Sequence, residues 1–161
     1  MALDPKTEVE PDSYTPHPNN EVWVEFGALT ENLDAQQVTA WVEAARASRT
    51  GTVCVRFVGE EEGRSLNSRF RKIFDATNVL AFPAHEKGIL GDIAICIPTA
   101  AQEALNQGKS LTSHLAHLVV HGTLHLCGYD HNMVEEAEKM EAREAQVLRT
   151  FGFDDPYNQN G

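Results

Sequence analysis

From residue 21 onward the chain alternates short apolar runs of period two with longer stretches of helical period. Val22, Val24 and Phe26 alternate with Trp23 and Glu25, which predicts a strand over 21–27. Asp34 reads as an N-cap, and Val38, Trp41, Val42 and Ala45 recur at helical spacing to about residue 48. Thr52 to Val58 is a second strand, rich in β-branched residues. Leu66, Phe70 and Ile73 or Phe74 predict an amphipathic helix near 62–74, carrying Arg69, Arg71 and Lys72. Asn78 to Phe82 reads as a strand stopped by Pro83, and Gly91 to Ile97 as another stopped by Pro98. Helical patterns follow over 99–107, 112–126 and 133–150. Residues 1–20 hold four of the seven prolines in polar company and read as an irregular N-terminal arm. No repeat or internal linker breaks the remainder. The pattern predicts one α+β domain over 21–157, strand-rich early and helix-rich late.

Composition agrees with that picture and adds one conflict. At 161 residues, 42% hydrophobic and 23% charged, the chain can bury a single core. No apolar run approaches the roughly 18 residues of a membrane span. Met1-Ala-Leu-Asp-Pro5 has neither a basic nor an apolar region of the kind a secretory signal needs. Cys54, Cys96 and Cys127 are an odd number without paired spacing, which suits a reducing compartment, and a cytoplasmic location is expected. The conflict is charge. A net −11, with an isoelectric point near 5.0, repels nucleic acid. Yet seven of the 13 Lys and Arg lie between Arg46 and Lys72, so a local groove of Arg71 with some of Arg56, Arg64, Arg69 and Lys72 is expected. The acids from Glu135 to Glu144 read as a solvated helix face, opposite Val134, Ala137, Met140, Val147 and Leu148.

Five of the seven histidines fall within eighteen residues: His114, His117, His121, His125 and His131. Thr112 or Ser113 can cap their helix, and Gly128 can end it. At 3.6 residues per turn, the first four fall within an arc of roughly 80°, while Leu115, Val119 and Leu126 lie on another side. His121 and His125 are one turn apart and can reach one cation, and His131 arrives beyond the turn as a third ligand. Three imidazoles with an open position describe a catalytic zinc site, whereas a structural zinc is normally closed by four protein ligands. The spacing H-x-x-x-H-x-x-G-x-x-H is that of the metzincin peptidases, but Gly122 stands where those enzymes carry the general-base Glu. Zinc can still lower the pKa of a water in the open position toward ~7. The group most tied to amide cleavage is missing.

The segment His121 to His131 closely resembles the signature of the YbeY family of bacterial metal-dependent endoribonucleases. Leu66-Asn67, Phe70-Arg71, Thr77 to Pro83, Leu90 to Ile93 and Gly152 to Tyr157 resemble the family's other blocks in its order, over roughly residues 50–157. The resemblance implies a zincin-like α+β domain, a small mixed sheet packed with helices, and a central helix carrying the first two metal histidines. It implies one zinc per chain on His121, His125 and His131, and a catalytic Arg71. It also implies cleavage of single-stranded RNA in rRNA maturation, at the 3′ end of the small-subunit 16S rRNA, and ribosome quality control. The small ribosomal subunit, a ribosomal protein and an assembly GTPase are the implied partners, with no membrane. Two positions depart from the family pattern: Ala81 stands for a usual Ser, and Lys72-Ile-Phe-Asp-Ala76 replaces a Gly-Lys-Asp-x-Pro-like stretch.

Two other functions fit the same residues. A zinc peptidase or small-molecule hydrolase requires a carboxylate poised near the metal despite Gly122. A non-catalytic ribosome-assembly factor requires a structural zinc whose removal unfolds the chain. His114 and His117 are expected to support the ligands or line a groove rather than ligate. Asp130 can orient an imidazole or shape its turn, and Asp92 can orient the site or face solvent. Cys127 reads as a helix-terminal packing residue.

Overall fold

The computed structural model describes residues 21–27, 32–70 (without the side chains of 67–70), 79–84, 86–130 and 132–157. The expected arm at 1–20, the end of the expected helix beyond residue 70, Arg71 and His131 lie outside the described residues. Nine elements follow in order: β1 (Val22–Phe26), α1 (Ala35–Arg46), β2 (Thr52–Val58), α2 (Glu60–Phe70), β3 (Val79–Pro83), β4 (Ile89–Cys96), α3 (Ile97–Gln107), α4 (Leu111–Leu126) and α5 (Val134–Thr150).

The strands form one mixed sheet of order β1-β2-β4-β3, parallel except for the β3 edge. Alternation decides what each strand buries. Val53, Val55 and Phe57 of β2 and Ile93 and Ile95 of β4 point to the core, and each is fully buried. The opposite face carries Trp23, Cys54 and Asp92 in cross-strand register, and Trp23 and Asp92 are exposed. Pro83 closes β3, an edge strand, where the missing N–H costs no ladder bond. Pro98 does not stop a strand as expected. β4 ends at Cys96, and Pro98 lies in the first turn of α3, where a helix needs no N–H donor.

Helix α1 begins as expected at Asp34, which forms a reciprocal capping box with Gln37. Its apolar stripe of Val38, Trp41, Val42 and Ala45 is buried. α4 is the central element, touching α1, α3, α5, β3 and β4. Consequently Leu115, Ala116, Leu118, Val119, Val120, Leu124 and Leu126 are all buried, while its first turn and His117, His121 and His125 are half-buried. Met140, Val147 and Leu148 of α5 enter the same core as expected, but Val134 does not and is 75% exposed at the start of its helix. Among the described residues, no helix is long and apolar enough to cross a membrane.

Candidate metal centre

Two local devices fix the helix that carries the histidines. At its start Ser110, rather than Thr112 or Ser113, is the cap, accepting from the Ser113 N–H at 3.1 Å. At its end Gly128 turns left-handed (φ +100°), donating to His125 O, while Tyr129 N–H reaches back to Leu124 O, both at 3.0 Å. That pair of bonds is a Schellman motif, and a glycine supplies its positive φ without steric cost. The turn is clamped from outside as well. Arg49 donates through Nη1 to Cys127 O. The side chain of Arg46, a residue only 2% exposed, donates to the carbonyls of Arg49 and Gly51. The α1–β2 connection thus braces the place where the chain turns toward residue 131.

Along α4 the rings form a row. Centroids of His114 and His117 are 6.1 Å apart, those of His117 and His121 6.1 Å, and those of His121 and His125 4.7 Å. The Nδ1–H of His125 donates to Tyr129 O at 3.1 Å, and the Nδ1–H of His121 donates to Oε2 of Glu144. Neither acceptor can donate, so each neutral ring carries its proton on Nδ1 and its lone pair on Nε2. Oε1 of Glu144 accepts from Tyr157 O–H and from His117 Nε2–H, the latter at 3.2 Å. Glu144 is fully buried, which disfavours its charge, yet the hydrogen bonds from His117 and His121 outweigh burial and bring its pKa down to about 2. Its charge is therefore kept in the interior at neutral pH.

Glu144 corrects the expectation of a solvated acidic face. Met140, Glu144, Val147 and Leu148 stand at i, i+4, i+7 and i+8 of α5, so the carboxylate lies on the apolar stripe. That lone acid on the stripe was the signal. Tyr157, which in the sequence stands only in the closing Gly152 to Tyr157 block, joins the same cluster through its O–H. His114 stands beside the His117 ring at the start of the row. It is buried, donates through Nε2–H to Glu103 Oε1 at 2.7 Å, and burial pushes its pKa down against the pull of Glu103. Asp130 shapes the turn by accepting from Asn132 N and Nδ2. Cys127 packs at the helix end as expected and is buried.

The donor set fits a metal ion. His117, His121 and Glu144 each offer a ligand atom, all within 4.8 Å of one another, and could hold a metal. His121 belongs to this group and to the triad expected from sequence. His125 lies next to it, with its Nδ1 hydrogen-bonded to Tyr129 O. A buried anion with imidazoles as its donors is also the arrangement that backs a metal-ligating histidine.

Gly122 faces away from this chemistry. A Cβ there would sit 3.0 Å from Ile93 Cγ2 and 3.3 Å from Val79 Cγ2, because α4 lies close on β3 and β4. The absent general base is thus also a tight helix–sheet contact. Of the expected basic groove, Arg71, Lys72 and the side chain of Arg69 lie outside the described residues. Arg56 is paired with Glu25 at 3.1 Å and Glu62 at 2.5 Å, and Arg64 with Glu60 at 2.6 Å. These guanidiniums are engaged by carboxylates of the same surface.

Fold and site together define a class: an α+β protein whose central helix presents a row of imidazoles, backed by a buried carboxylate, that could hold a metal ion. Comparison with known proteins narrows it. The endoribonuclease YbeY family matches residues 24–152. An endoribonuclease YbeY of Stutzerimonas stutzeri is 47% identical over 142 residues, covering 83% of this chain and 87% of that protein. Its counterpart in Xanthomonas axonopodis pv. citri is 52% identical over 128 residues, covering 73% of this chain and 80% of that protein. The solution structure of TM1509 from Thermotoga maritima superposes with a TM-score of 0.57 at 27% identity, over 86% of this chain and 99% of that one. The chain belongs to the endoribonuclease YbeY family, whose members are nucleases that hydrolyse phosphodiester bonds within RNA.

Proposed function

We propose that this endoribonuclease is zinc-dependent, cuts unpaired RNA, and matures the 3′ end of small-subunit 16S rRNA in the cytoplasm, with a part in ribosome quality control. The small ribosomal subunit, with a ribosomal protein and an assembly GTPase as partners, is its working context. One zinc is held by His121, His125 and His131, and Arg71 is the catalytic arginine. The observation that carries the metal reading is the matched use of Nδ1 by His121 and His125. With Nδ1 hydrogen-bonded, Nε2 is the nitrogen each ring would offer to a metal, and an all-imidazole set suits zinc. When bound, the metal supplies Lewis acidity toward a phosphodiester oxygen and acidifies a water. The chain's own groups do the rest. Glu144 holds the His121 proton on Nδ1, and the Arg71 guanidinium can bind two phosphate oxygens and offset their growing charge.

A peptidase reading lacks its base. Amide cleavage needs a proton delivered to a poor leaving group, and position 122 holds a glycine against Ile93 and Val79. A non-catalytic assembly factor is at odds with membership of a nuclease family. The test offers unpaired RNA, the same RNA in a duplex, and casein to one metal-replete preparation, with His121→Ala as the control for contaminants. Cleavage of unpaired RNA that the variant and a chelator both abolish is expected. Proteolysis lost in the variant, beside RNA cutting that persists in it, overturns the reading.

A further inference from the structure

The segment after α5 is tied down at both ends. The Phe153 ring meets Trp41 edge-on at 6.2 Å, and Phe153 N–H donates to Leu148 O at 3.0 Å. Four residues later the Tyr157 N–H donates to Asp155 Oδ1 at 2.8 Å, and its ring stands edge-on to His117 at 5.6 Å. Between these anchors the strap crosses the buried carboxylate and delivers one O–H to Oε1 of Glu144.

A carboxylate at the end of a flexible side chain can rotate either oxygen toward a given donor. Here the two oxygens are used differently. Oε1 takes Tyr157 O–H and His117 Nε2–H, and Oε2 takes His121 Nδ1–H. We propose that Tyr157 is a positioning residue: by holding Oε1 of Glu144, its hydroxyl keeps Oε2 on His121 Nδ1 and so fixes the tautomer whose Nε2 can ligate a metal. The inference rests on the metal reading given above. It assigns the C-terminal strap a role at the centre, although it contributes no ligand. Tyr157 acts through Glu144 and touches no reacting atom.

Tyr157→Phe keeps the ring against His117 and removes only the O–H. Zinc affinity, measured by competition with a chromophoric chelator, is expected to fall about tenfold, the lower end of what loss of an outer partner of a ligating histidine costs. In metal-free protein, nitrogen-15 NMR of the imidazoles is expected to show His121 as the Nδ1–H tautomer in the wild type and as a mixture in Tyr157→Phe. His125, held independently by Tyr129 O, is expected to keep its tautomer, a result that general loosening would not give. Unchanged zinc affinity together with an unchanged His121 tautomer overturns the proposal. So does a wild-type spectrum with His121 protonated on Nε2, which needs no variant to fold. Failure of the metal reading is separately visible: His125→Ala would then bind zinc like the wild type, while the metal-free tautomers would still decide on Tyr157.

Discussion

Acid should destabilise the fold through Glu144. Its carboxyl is fully buried and is held at about 2, against an ordinary 4.5, by His117 and His121 despite the cost of burial. A folded-state pKa below the unfolded one means that the unfolded chain takes up the proton more readily. The stability this group contributes is therefore complete above about 4.5 and is lost as pH falls toward 2. Shifting one carboxyl from 4.5 to about 2 corresponds to about 3 kcal/mol, as an order of magnitude. The assay is urea unfolding of chelated wild type and Glu144→Gln at pH 6, 5, 4 and 3. The other carboxylates titrate in both proteins and cancel in the difference, while the amide cannot titrate. The stability lead of the wild type is expected to shrink by about 2 kcal/mol between pH 6 and pH 3. A lead that stays constant to within about 0.5 kcal/mol across that range would refute the claim that the interior holds Glu144 as a hydrogen-bonded anion.

Three further outcomes are expected. Arg71→Glu should cut RNA at least tenfold more slowly, with zinc content and thermal unfolding unchanged, since the charge on phosphate would no longer be offset; equal cleavage over a range of salt would remove Arg71 from the chemistry. Arg49→Ala removes the donor to Cys127 O and should cost about 1 kcal/mol in urea unfolding while weakening zinc binding, because the turn toward residue 131 is braced there. Gly122→Glu should lower the thermal midpoint by several degrees and confer no casein cleavage, since even a Cβ meets Ile93 at 3.0 Å; a stable variant that cleaves casein would contradict the geometry.

Periodicity made the fold legible because most elements are amphipathic. The β2 pattern, the α1 stripe and the apolar side of α4 each needed only one face buried, and each buries the face its spacing indicates. Elements went astray where a residue can serve two purposes. Pro98 both ends strands and begins helices, and its neighbour Ile97 opens α3. Thr112 and Ser113 are as good caps by type as Ser110, which holds the position in the fold. At the centre, the imidazole row was readable from helical geometry alone. The counterpart to it was not, because Glu144 reaches His121 across 23 positions and Tyr157 reaches Glu144 across 13. Local charge density grouped Glu144 with its exposed neighbours, and only its place on the stripe of Met140, Val147 and Leu148 set it apart.

The charge conflict posed by the sequence has a structural answer on the described residues. Four of the arginines that look like an RNA surface in a linear count make contacts within the protein. Arg46 and Arg49 tie the α1–β2 connection to the end of α4, and Arg56 and Arg64 neutralise carboxylates beside them. Affinity for an RNA backbone rises with the number of phosphates neutralised. Gly122 is likewise a matter of packing: with no side chain there, α4 lies close on Ile93 and Val79, which fixes the helix whose other side carries the histidines.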